Sequence, residues 1–171
     1  NIQDYAPHIQ NIFSHSKNNP IEFSIADQQV SARPLVTSFL QIFQLHKTRL
    51  SSNDILNIVE NPDFLSAYKL QVDELSLIRE WIEKSRIRWA KDAEHRASMG
   101  LPAFEENSWR FGFDRLMAGY AFDETLIYND SLVCPIGSDG DTLGKFKNAV
   151  DSLFAIHQII STEKKSLSSW C

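Results

Sequence analysis

Only two cysteines occur among the 171 residues, Cys134 and Cys171, and neither stands in a Cys-x-x-Cys or Cys/His ligand spacing. This excludes a disulfide framework and any zinc module that spacing would reveal, and both residues are expected to be reduced thiols. Positive charge is in deficit as well: 17 Lys and Arg stand against 22 Asp and Glu, a net of −5. That balance argues against a general nucleic-acid coat, whose affinity comes from phosphate neutralisation, and leaves only a local basic patch for such a role. No apolar run approaches the roughly 20 residues that cross a bilayer, and no basic-then-apolar leader opens the chain. No membrane partner and a cytoplasmic location are therefore expected. The chain starts at Asn1 and stops at Cys171, which suggests a piece cut from a longer protein.

Glycine is scarce, six in all, and none builds a phosphate loop. The richest stretch, 136–144, lacks the Gly-Lys-Ser/Thr ending and carries Asp139 and Asp141, which repel phosphate. Its acid spacing faintly suggests a calcium loop, but the completing glutamate is missing. His8, His15, His46, His95 and His157 form no i,i+4 pair, so spacing proposes no metal site, and His157 on an apolar face reads as a core residue. No serine sits in a Gly-x-Ser-x-Gly elbow. Catalytic, cofactor-binding and metal residues are accordingly expected to be none.

What is present is mostly helical periodicity. Asp4 can cap a short helix ending near Ser16, and Ile21-Glu-Phe-Ser-Ile25 alternates as the one convincing strand. A lone strand needs a partner, here expected outside the chain. Helices are predicted from Pro34 to about His46, from the capping-box-like Ser51 to Asn61-Pro62, through Phe64 to Tyr68, and from an Asp73 cap over Glu74 to Lys84. A polar helix Asp92 to Met99 should end at Gly100. Ser108 should cap Trp109 to Phe122, where Gly112 and Gly119 lie seven residues apart on one side and suggest close approach of a neighbour. Turn chemistry marks Asp123 to Asp141 as a long surface loop, and Asp141 or Thr142 should cap a last helix reaching about Ser161.

The candidate contact surface is Lys84, Arg86, Arg88 and Lys91, four cations with no acid between positions 84 and 91 and with Trp89 among them. Tryptophan beside arginine can stack on a partner or staple two helices together. Over the wider window 79–115, eight cations face seven acids, a local net of +1 that predicts interhelical ion pairs around buried tryptophans. The contact reading, toward DNA or a partner subunit, stands beside that bland one.

The stretches Trp81-Ile-Glu-Lys-Ser-Arg-Ile-Arg-Trp89, Gly100-Leu-Pro-Ala103 and Asn107-Ser-Trp-Arg-Phe-Gly-Phe-Asp-Arg-Leu-Met-Ala-Gly-Tyr-Ala121 closely resemble the RecC family, the gamma subunits of exodeoxyribonuclease V, the RecBCD helicase–nuclease. Tyr5–Phe13, Ile21–Asp27 and Pro34–Leu40 fit the same family in the same order. The resemblance is specific through residue 121; beyond it, the helical pattern and Leu167–Trp170 agree. It implies an interior fragment of a longer subunit whose amino-terminal half looks like a superfamily-1 helicase without ATPase motifs. Residues 1–30 would then edge a helicase-like 2A domain and residues 31–171 would form a mainly α, 2B-like accessory domain, with one short strand near the N-terminus. It further implies RecB-like and RecD-like partner subunits, DNA bound in the full complex, and ATP and Mg confined to those partners. The implied role is a non-catalytic structural and DNA-channel module serving double-strand break processing; an autonomous single-strand-binding or protein-interaction module is the competing class.

Overall fold

In the computed structural model, residues 34–122, 127–128, 131–137 and 139–162 are described. The chain divides into two compact units, Asn1–Phe39 and Leu40–Cys171. The first expected helix and the strand over Ile21–Ile25 lie outside the described residues, so the N-terminal strand gains no support from them.

Helix α1, Pro34–Gln44, runs into a 3-10 turn at Leu45–Lys47. Ser51 then starts α2, Ser52–Val59, with a complete capping box: its hydroxyl accepts the Asp54 N–H, and the Asp54 carboxylate accepts the Ser51 N–H at 2.9 Å. Asn61 caps α3, Pro62–Tyr68, whose proline sits where a missing N–H costs nothing. Helix α4 spans Glu74–Lys84 as expected, but Asp73 makes no side-chain cap bond. The Glu74 carboxylate instead reaches back to accept the Gln71 N–H at 2.7 Å, ahead of the helix. Asp92 caps α5, Ala93–Ser98, and Ser108 caps α6, Trp109–Ala121. The last helix, α7, covers Gly140–Thr162. It begins one residue before Asp141, so neither expected cap residue lies outside it. Thr142 instead donates its hydroxyl to Glu74 across to α4, and Asp141 pairs with Lys145 at 2.6 Å.

These helices converge on one apolar core in the second unit. Ile55, Ile58 and Val59 come from α2, Ile78, Trp81 and Ile82 from α4, Trp109, Phe113 and Leu116 from α6, and Phe146, Val150, Leu153 and Phe154 from α7. Trp109 is fully buried, with Phe113, Phe146 and Phe154 ring centroids between 5.9 and 6.2 Å away. Its indole N–H donates to the Leu50 carbonyl at 2.8 Å, so the polar end of the ring is satisfied inside the core.

The segment 123–141 departs from the surface-loop expectation. A two-residue antiparallel hairpin, β1 Ile127–Tyr128 with β2 Ser131–Leu132, leads into Val133, Cys134 and Ile136, all buried. Turn residues dominate its composition, yet three apolar side chains dispersed among them are enough to seat it. The Cys134 N–H donates to the Arg115 carbonyl at 3.0 Å, which lays this run along α6. Gly119 permits the approach, since a Cβ there would lie 1.9 Å from the Cys134 carbonyl oxygen. Gly112, two turns earlier, faces Ile87, whose Cγ1 would be 2.0 Å from an added Cβ. The expectation that the two glycines mark close neighbours is met, with a different neighbour at each.

Candidate nucleic-acid interface

The stretch from Ser85 to Lys91 is neither helix nor regular strand, and its course is set by backbone bonds on both sides. Arg88 N–H donates to the Asn107 carbonyl at 2.9 Å and Ala90 N–H to the Arg49 carbonyl at 2.9 Å. In return, the Arg88 carbonyl accepts the Ser52 N–H, the Ala90 carbonyl the Trp109 N–H, and the Lys91 carbonyl the Arg110 N–H, each at 2.9 to 3.0 Å. Those three donors belong to the first turns of α2 and α6, which have no partner within their own helices. The stretch is thus a strap whose carbonyls cap two helix N-termini. Four residues along these contacts, Leu50, Arg86, Ala90 and Asn107, have left-handed φ between 55 and 67°. For Leu50, Arg86 and Ala90 that backbone is disfavoured by roughly 1–2 kcal/mol each, less so for Asn107, so the surrounding bonds must hold it.

Burial alternates along the strap: Ser85, Ile87 and Ala90 are buried, while Arg86 and Arg88 are exposed. Among the four predicted contact residues, the structure therefore groups Arg86 and Arg88 and sets the other two apart. Lys84 closes α4 and pairs with Glu80 at 2.5 Å, and its hydrogen bond to Glu80 raises its pKa. Lys91 is half-buried beside a cleft of about 280 Å³ that His95, His157 and Phe154 also line.

The tryptophans divide likewise. Trp81 and Trp109 are core. Trp89 is half-buried, with the Arg96 guanidinium 4.4 Å from its ring centroid. Arg96 itself is buried, donates to the Glu106 carbonyl at 2.7 Å, and leaves its Nε without a hydrogen-bond partner among the described residues. The Trp89 face it covers is not offered to a nucleic-acid base.

The ion pairing expected across 79–115 is met in part. Of the ion pairs formed here, Arg79 with Glu60 at 2.7 Å links two helices as expected, while Lys84 with Glu80 lies within one. Asp92 accepts the His95 N–H at 2.8 Å, and Glu105 accepts the Ser108 hydroxyl at 3.3 Å. These acids serve helix starts rather than arginines.

The histidines hold a relation that spacing conceals. His95 and His157, 62 positions apart, meet edge to face with ring centroids 5.4 Å apart. The Lys91 N–H reaches His95 Nδ1 at 3.3 Å, which places the neutral ring's proton on Nε2. Burial lowers the pKa of both; Asp92 opposes this for His95, whereas His95, His46 and Lys91 add to the lowering for His157. Unfolding frees each ring to take a proton that the folded state resists, so stability should be whole above about pH 6.5 and fall as pH drops through that value toward the depressed folded pKa. Urea midpoints measured across this interval should show the fall, and His157→Gln should flatten it. An unchanged slope in that variant would show that the pair does not govern the acid limb.

The described residues hold no group of three or more His, Cys, Asp or Glu able to bind a metal, and no helix among them is long and apolar enough to cross a membrane. The buried Cys134 thiol is pushed up in pKa by burial, which disfavours a nucleophilic thiolate.

The family model for the fourth domain of the RecBCD enzyme subunit RecC matches residues 32–171. The chain belongs to the RecC fourth-domain family. RecC of Haemophilus influenzae is 28% identical over 175 residues, covering 99% of this chain and 15% of the relative. RecC of Escherichia coli is 29% identical over 124 residues, 71% of this chain and 11% of the relative. The match to RecC of Mycobacterium tuberculosis is 31% over 101 residues, 58% of this chain and 9% of the relative. The chain thus spans a small part of the length of its RecC relatives, and the strap, α6 and the core helices all fall within the matched RecC domain.

Proposed function

We propose that this chain is a non-catalytic scaffold and DNA-path module of a RecC-type subunit in a helicase–exonuclease that processes double-strand breaks. Residues 31–171 act as its accessory domain, comparable to the 2B domain of superfamily-1 helicases, and residues 1–30 edge the adjoining 2A-like domain. ATP and Mg²⁺ are handled by the RecB-like and RecD-like partners. The observation that supports this most is the strap: its backbone is consumed in holding two helix starts, while Arg86 and Arg88 point out of the scaffold unpaired among the described residues. Such an element presents charge at a fixed place without catalysing anything.

The competing reading, an autonomous single-strand binder, would use exposed aromatics as stacking platforms. Arg96 over Trp89 disfavours it. The isolated chain, at net −5, should bind DNA more weakly than micromolar at physiological salt and hydrolyse no ATP, as fluorescence anisotropy and a phosphate-release assay would register. Submicromolar affinity, or turnover by the pure chain, would overturn the proposal. In the assembled complex, photo-cross-linking should attach DNA or a partner subunit to residues 86–88.

A further inference from the structure

The strap brings together three stretches that the sequence keeps apart: 47–52, 86–91 and 107–110. They contain Lys47, Arg49, Arg86, Arg88, Lys91 and Arg110, six cations, and not one acid. The linear window 79–115 hides this, because it counts seven acids, among them Asp92, Glu105 and Glu106 at the edges of these stretches, and omits Lys47 and Arg49. Adjacency is fixed by backbone bonds: the Arg49 carbonyl accepts from Ala90, and Arg110 N–H donates to Lys91, on opposite sides of the strap. The outer stretches are themselves tied together by the Trp109 indole N–H donating to the Leu50 carbonyl at 2.8 Å. Arg49, Arg88 and Arg110 are all exposed, and no ion pair engages them among the described residues.

Three of the nearby carboxylates are engaged locally, whereas Glu106, one residue before Asn107, is exposed. Asp54 holds the Ser51 N–H, Asp92 the His95 N–H and Glu105 the Ser108 hydroxyl. The positive ends of α2 and α6 point at the strap and reinforce the local sign. No uncovered aromatic platform accompanies the arginines, since Trp109 is buried and Trp89 lies under Arg96. Cations without stacking partners suit a sugar-phosphate backbone better than unstacked bases, and therefore a duplex better than a single strand.

We propose that Arg49, Arg88 and Arg110 form one ledge, continued by Arg86, that grips the phosphates of duplex DNA. The ledge rests on the DNA-path reading above and adds two residues to it from outside the strap. Each arginine contributes a phosphate contact, and together they track one strand along the outer face of the strap.

The test uses the full-length subunit assembled with its partner subunits, a blunt-ended duplex and an oligothymidine of equal length. Affinity is measured against salt concentration for Arg49→Gln, Arg88→Gln, Arg110→Gln and the triple variant. Each lost duplex contact should reduce the slope of log K against log salt by about 0.9, and the triple change by close to three times that. Arg→Lys at each position should restore most of the slope, which separates charge from damage to the fold, and gel filtration should show intact assembly. If Arg88→Gln alone lowers the slope, the ledge is refuted and the DNA-path reading survives. If no variant lowers it and assembly stays intact, both fall. A loss confined to oligothymidine would refute the duplex assignment, and broken assembly with unchanged DNA slopes would assign the ledge to an acidic protein face instead.

Discussion

Trp109→Ala should remove about 3–5 kcal/mol of unfolding free energy, the range for emptying an aromatic site in a packed core. The residue is fully buried where α6 and α7 meet, with three phenylalanine rings around it. Trp109→Phe separates two components of that loss. It keeps most of the packing but withdraws the donor from the Leu50 carbonyl, which should cost about 1–3 kcal/mol. Urea unfolding followed by circular dichroism measures both. An alanine variant within 1 kcal/mol of the parent would mean that the four-ring cluster does not organise the core.

Gly119→Ala should destabilise by about 1–3 kcal/mol even though alanine is the better helix former by about 1 kcal/mol. The new methyl would sit 1.9 Å from the Cys134 carbonyl oxygen and 2.3 Å from its carbon, and a backbone held to α6 by its own hydrogen bond has little room to yield. Gly112→Ala should also lose stability, but by a different route: its obstacle is the Ile87 side chain at 2.0 Å. Ile87→Ala should therefore relieve Gly112→Ala, with a coupling of at least about 1 kcal/mol in a double-mutant cycle, and leave Gly119→Ala unrelieved. Gains in stability from both alanines would contradict the close approach at either site.

Helix starts were legible in the sequence because their causes are local. Ser51 with Asp54, Asp92 and Ser108 each declare a start within three or four residues and the structure uses all three, whereas Asn61-Pro62, read as a helix end, also caps the next helix, and Asp73 makes no side-chain cap bond. The strap was not legible, because its hydrogen bonds are made to residues about 20 positions ahead and about 40 behind. A longer separation, 62 positions, hid the His95 and His157 pair. Val133, Cys134 and Ile136 were obscured by the turn residues around them, since a non-periodic run can still bury side chains once Gly119 lets its backbone close in. Within the candidate site, Arg86 and Arg88 were found from charge spacing. Lys84 and Lys91 came with them from the same charge spacing, and the structure places Lys84 at the end of α4 and leaves Lys91 half-buried.

The backbone shape around Leu50, Ala90 and Asn107 has a consequence for the order of folding. Asn107 adopts left-handed geometry readily, but Leu50 and Ala90 do not, so local preference alone cannot form the strap in advance. It can settle only after positions 49 to 110 have already converged. Substitutions that weaken it should therefore hasten unfolding and leave the refolding rate nearly unchanged, making this junction the last part of the domain to close and the first to let go.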